Sequence, residues 1–173
     1  MSNKAPDKKS VKFTKITLAK SGGVALQLEE TKIENGGTYI EKETRESDKI
    51  AHPDLKNAMQ DLKIALIKTW NLPGEEDEVQ EWAENNLEVS SISINPSGEA
   101  IVVTGKVKAE TGQKMSMNSP RIDLTQDAYG FEDQVQDTVL TIKAEAYAFL
   151  YENKRAQLEL FDGNQEDPSD GED

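Results

Sequence analysis

The sequence repeats itself. At a constant offset of 76 residues, with no gap, Ile16 and Leu18 fall on Ile92 and Ile94, and Ser21-Gly22 falls on Ser97-Gly98. Leu26 then meets Val102, Lys32 meets Lys108, Glu34 meets Glu110 and Gly36 meets Gly112. The register carries into a helical stretch, where Leu55 meets Phe131, Met59-Gln60-Asp61 meets Val135-Gln136-Asp137 and Leu66 meets Ile142. A self-match running from Ile16 to Leu66 points to two copies of one supersecondary unit. The competing reading is that turns and caps recruit the same residues in unrelated units.

Each unit reads as three strands and a helix. Val11 and Phe13 alternate in step, Ile16 and Leu18 alternate in the opposite parity, and the change between them predicts a bulge in a strand over 11–20. Ser21-Gly22-Gly23 turns the chain, Val24, Leu26 and Leu28 share a face, and Glu34-Asn35-Gly36-Gly37 tolerates positive φ before a third strand over 38–46. His52 followed by Pro53 reads as a helix start, and Leu55, Met59, Leu62, Leu66 and Trp70 follow at helical spacing. In the second unit Val89, Ile92 and Ile94 lead to the turn Asn95-Pro96-Ser97-Gly98, and Ile101-Val102-Val103 reads as a strand buried on both faces. Met115 to Leu124 follows as a strand, then a helix over about 131–153 carries the stripe Phe131, Val135, Val139, Ile142, Ala146 and Phe149 or Leu150. The segment from Pro73 to Glu78 reads as a linker entering a short acidic helix around Trp82, and both Trp70 and Trp82 read as packing residues. The expected class is α+β, with tandem β-β-β-α units forming one pseudo-twofold domain over 11–156: repeat one 11–71, linker 72–87 and repeat two 88–153.

Charge is distributed as unevenly as the repeats are even. The net formal charge is −13, yet residues 1–20 carry six lysines against the single acid Asp7. Residues 162–173 carry six acids and no base, with no apolar side chain. Such a tail has nothing to bury against the entropy of ordering, so 157–173 is expected to be a short peptide followed by a disordered acidic tail over 162–173, and 1–10 to be a flexible basic start. An acidic tail of this kind either solubilises the chain or competes with nucleic acid for a basic patch on the same molecule. The polar, lysine-rich start and the absence of a long apolar run predict no signal, no membrane span and a cytoplasmic protein.

Catalytic chemistry is poorly supplied. There is no cysteine and only one histidine, His52, which removes thiol nucleophiles, Cys-ligated metals and His-based triads. Phosphate-binding glycine motifs are missing, and no carboxylate spacing implies a paired-acid site. No enzyme, cofactor or metal is therefore expected.

The strongest short motif is Gln157-Leu158-Glu159-Leu160-Phe161. It resembles the pentapeptide with which bacterial replication and repair proteins bind the DNA sliding clamp, commonly Gln-Leu-Ser/Asp-Leu-Phe, and departs from it at Glu159. The resemblance implies that Leu158, Leu160 and Phe161 fill an apolar groove of the clamp while Gln157 makes polar contacts at its rim. Tandem strand-and-helix repeats are also similar, at the level of fold, to the Whirly and purine-rich-element-binding families, whose sheets carry single-stranded nucleic acid. For such a role Lys12, Lys15, Lys20, Lys32, Lys106, Lys108, Lys114 and Arg121 are the candidate phosphate contacts, with Phe13 and Tyr39 as strand aromatics. Glu29, Glu41 and Glu43 read as an acidic face that opposes it.

The leading expectation is a non-enzymatic DNA replication or recombination accessory protein of the kind a phage or mobile element encodes, binding single-stranded DNA and the sliding clamp. The alternatives are a protein-interaction module or inhibitor without nucleic-acid binding, and a structural protein that assembles as a homo-oligomer.

Overall fold

Strand parity decides which face of the sheet is covered. Val11, Phe13, Ile16, Val24, Leu26, Leu28, Val89, Ile92, Ile94, Ile101 and Val103 are all buried, and all belong to a single core with the helices. The computed structural model describes residues 7–109 and 111–156. It contains the strands β1 (Val11–Leu18), β2 (Val24–Glu34), β3 (Gly37–Ser47), β4 (Leu87–Ile94), β5 (Ala100–Lys108), β6 (Lys114–Asn118) and β7 (Ile122–Asp123). The helices are α1 (Pro53–Asp61), α2 (Lys63–Trp70), α3 (Glu76–Asn86) and α4 (Glu132–Tyr151). The fold is mixed α+β: an antiparallel sheet in the order β3-β2-β1-β4-β5-β6, with β7 on β5 beyond the end of β6, and a helical layer on one face.

The middle of the sheet is a short seam. β1 and β4 pair only through Lys15↔Ser93, Ile16↔Ile92 and Thr17↔Ser91. Each of these strands bulges just before the seam, between Phe13 and Lys15 against β2 and between Val89 and Ser91 against β5. The gapless register slips in the outer strands. Leu18 pairs with Val24 whereas Ile94 pairs with Ile101, so the residue that occupies the place of Leu26 is Val103 rather than Val102. Val102 accordingly faces away from the helices and is only partly covered, which corrects the reading of β5 as buried on both sides.

The first helix starts where its sequence predicts. Pro53 sits in the first turn of α1, and His52 caps it by accepting the Asp54 N–H at Nδ1, 3.2 Å away. The single helix expected through Trp70 instead breaks at Leu62, where Leu62 N–H bonds Met59 O and Ala65 N–H bonds Leu62 O. The break lets Leu55, Met59 and Leu62 follow one line into the core while α2 turns onto β5. That approach is close: a Cβ on Gly105 would stand 2.6 Å from Leu66 Cδ1. Trp70 and Trp82 are 52% and 38% exposed, so neither is the packing residue its spacing suggested. Trp70 instead caps the sheet edge, donating its indole N–H to Asn118 O at 2.8 Å. Lys8–Ser10, in the stretch expected to be flexible, form a 3-10 turn, and Lys8 bridges Glu152 at 3.0 Å. The 157–173 segment, with the clamp-like peptide and the acidic tail, lies outside the described residues.

Candidate nucleic-acid interface

The uncovered face of the sheet is largely polar and basic, apart from the exposed Ile33 and Ile40 towards the tip of the β2–β3 hairpin. Cross-strand partners share a face, so the registers place Lys12, Lys15 and Thr17 of β1, Gln27 and Glu29 of β2, and Lys42, Thr44 and Glu46 of β3 on it. Across the seam it continues through Glu88, Ser91, Ser93, Val102, Thr104, Lys106, Lys108, Lys114, Ser116 and Asn118. Six lysines there meet Glu29, Glu46, Glu88 and, at the far corner, Asp123. Glu29 is bridged by Lys42 at 2.9 Å and Glu88 by Lys114 at 3.2 Å. Lys12, Lys15, Lys106 and Lys108 form no ion pair among the described residues. On strand spacings, β1 and β5 lie about 10 Å apart across β4, and Lys106 is displaced from the level of Lys15 by roughly 13 Å along the strands. The four free lysines thus mark the two ends of a diagonal stripe whose middle is Thr17, Ser93 and Thr104 around the buried Ser91. Hydroxyls and ammonium groups in this arrangement suit phosphate oxygens.

Several expected contacts are elsewhere. Phe13 is 4% exposed within the core, so its ring is not offered to a base. Tyr39 lies opposite Lys32 on the helix side of the β2–β3 hairpin, and Lys32 is held there by Glu41. That hydrogen bond from Lys32 to Glu41 raises the lysine pKa. Lys20 is exposed in the turn between β1 and β2, and Arg121 is exposed between β6 and β7. The expected acidic face dissolves as well. Glu29 faces the open side, while Glu41 and Glu43 face the helix side, where Glu43 accepts from Arg45 Nε at 2.6 Å. That hydrogen bond lowers the Glu43 pKa and raises that of Arg45. The residues 157, 158, 160 and 161 lie outside the described residues.

Lys42 and Lys143 were not read from the sequence. Lys42 was legible from its position opposite Glu29 once the 34–37 turn fixes the hairpin register. Lys143 carried no signal, because a lone lysine on a long helix looks like a solvated face. It stands over a pocket of 360 Å³ between the start of β1 and the 95–98 turn, floored by Val11, Phe13 and Ile94 and reaching Lys12 at the corner of the open face. Burial lowers its pKa, and it has no partner among the described residues.

One group of metal-ligating types does converge. His52, Asp54 and Glu145 bring donor atoms within 4.8 Å of one another. The cation they surround is Lys154, whose Nζ lies 2.8 Å from Asp54 Oδ2 and 2.8 Å from Glu145 Oε2. The hydrogen bond from Lys154 lowers the Asp54 pKa, and the bond to Asp54 raises that of Lys154. A metal ion would have to displace that ammonium, so the cluster reads as a clasp between α1 and the end of α4. Among the described residues no helix is long and apolar enough to cross a membrane. Comparison with protein-family models, curated proteins and solved structures finds no match to this chain.

Proposed function

We propose that this chain is a non-enzymatic, cytoplasmic accessory factor of DNA replication or recombination that holds single-stranded DNA on its open sheet face and docks on a bacterial sliding clamp through Gln157, Leu158, Leu160 and Phe161. The observation that carries the reading is the sign of the open face: lysines outnumber acids there, although the chain as a whole is at −13. We also read the fold as a tandem duplication. Two features support this: Ile16 pairs with Ile92, its counterpart at the repeat offset, and the bulges at Phe13/Lys15 and Val89/Ser91 match at the same offset. The helices follow the symmetry less closely, since one half has α1 and α2 where the other has the single α4.

Binding on this face is by phosphate neutralisation. A labelled oligonucleotide titrated against salt tests it, because each phosphate contact on a single strand contributes about −0.7 to the slope of log affinity against log salt. The variant K12Q/K15Q/K106Q/K108Q should bind more weakly and with a slope shallower by up to about 2.8. An unchanged slope, or a parent protein that does not bind at low salt, would overturn the reading. A second reading, a protein-interaction module without nucleic-acid binding, is favoured by one observation: among the described residues the open face carries no aromatic ring on which bases could stack. The same titration separates the two.

A further inference from the structure

The two edges of the sheet are finished differently. β6 is short, and Trp70 takes the carbonyl of Asn118 while Ser119 Oγ accepts the Val103 N–H at 2.9 Å. β3 is 11 residues long and straight through its ladder with β2, and among the described residues nothing pairs with its outer backbone groups. A long free edge invites pairing with another strand unless its charges forbid it. Those of β3 have both signs, in the order Glu41, Lys42, Glu43, Arg45, Glu46.

Suppose a second copy adds its own β3 about a twofold axis. Opposed residues must share a face, so odd positions meet odd and even meet even. With the axis at Thr44, Glu43 meets Arg45 and Lys42 meets Glu46, each pair occurring twice. Moving the axis to Glu43 stacks Glu43 on itself. Moving it to Lys42 stacks that lysine on itself and sets Glu41 against Glu43, and an axis at Arg45 stacks the arginines. Only Thr44 leaves all four flanking charges matched and none opposed to its like. The helix-side pair is already oriented, with Glu43 and Arg45 2.6 Å apart and the guanidinium over the Tyr151 ring at 5.5 Å.

We propose that the chain forms a homodimer in which β3 pairs antiparallel with β3 of a second copy, Thr44 opposite Thr44, joining the two sheets into one. The axis is perpendicular to the sheet, so both open faces lie on one side and both helical layers on the other. The lysine stripe described above is thereby doubled on a continuous surface.

The chain has no cysteine, which makes the register directly testable. Directly opposed antiparallel residues have Cα atoms about 4.5–5.5 Å apart, within the range a disulfide spans. Full-length T44C under mild oxidation should cross-link into a dimer, whereas S116C on β6 and T38C at the far end of β3 should not. Sedimentation of the parent protein should give the dimer mass. K42E, which sets Glu against Glu46 twice, should weaken the dimer about tenfold, and K42E/E46K should restore it, so the charge swap tests the register even if T44C folds poorly. A parent protein that sediments as a monomer overturns the proposal, as does cross-linking at residue 38 or 116 in preference to 44. Cross-linking of T44C only after removal of 157–173 would assign the edge to that segment and also overturn it. A monomer that binds DNA refutes the dimer alone, and a dimer that binds none refutes the nucleic-acid reading alone.

Discussion

Glu132 opens α4 and is 3% exposed, an unusual place for a carboxylate. Its oxygens accept three backbone N–H groups, Oε1 from Ala128 at 2.8 Å and Tyr129 at 2.7 Å, and Oε2 from Phe131 at 2.9 Å. Burial pushes its pKa up, but the backbone N–H groups of Tyr129, of Glu132 itself, and of Phe131 and Ala128 together outweigh burial and leave it below the ordinary carboxylate value. Being ionised at the positive end of a helix adds to the same preference. Glutamine has one carbonyl oxygen for these donors and turns an NH2 towards them, so E132Q should lower the unfolding free energy by about 2–3 kcal/mol at neutral pH. A group whose folded pKa is depressed stabilises above its unfolded pKa and loses that contribution as pH falls through the folded one. The gap between parent and E132Q in urea unfolding should therefore narrow below about pH 4.5. A gap that is constant with pH would mean that the charge contributes nothing.

At the scale of elements, the seam between β1 and β4 is the shortest join along the run from β3 to β6, and Gln60 of α1 repairs one side of it. Its amide accepts the Val89 N–H at 2.9 Å and donates to Val89 O at 2.9 Å, acting as a strand partner where β1 does not reach. Gln136, at the matching position of the other half, is exposed and makes no such bond among the described residues. Q60A should destabilise by about 2–3 kcal/mol, since it strands a donor and an acceptor near the core, and should speed hydrogen exchange at Val89. Q136A should stay within about 0.5 kcal/mol of the parent; equal effects from the two would contradict this asymmetry. The asymmetry also marks where sequence reading stops. The parity change after Phe13, the glycine turns and the stripe on α4 were legible because each is set by neighbours in sequence. The break at Leu62 and the exposure of Trp70 were not, because they answer to β5 and β6, which come later in the chain.

At the scale of the whole molecule, the lysines of the open face were legible as residues but not as a surface. Alternation sorts a strand into two faces and leaves open which one the helices cover, which is why Phe13 and Tyr39 stand in the sequence reading beside lysines of the opposite face. Phe13 shares its parity with Val11, and that apolar set is the one the helices cover. The end of the described chain is pinned in three consecutive residues: Lys154 to Asp54 and Glu145, Arg155 in a bridge with Ala51, and Ala156 N–H to Ile50 O at 3.2 Å. The clamp-like peptide follows directly in sequence. If Leu160 and Phe161 serve a partner's groove, L160A/F161A should leave thermal stability within about 0.5 kcal/mol of the parent. The same variant should lower clamp affinity by about 2 kcal/mol or more, roughly thirtyfold, as loss of buried anchor residues does. Residues committed to their own core cannot also fill another protein's pocket. A loss of several kcal/mol in stability, the cost of truncating two large side chains in a core, together with no clamp binding by the parent protein, would therefore return the peptide to a packing role and remove the clamp from the proposed function.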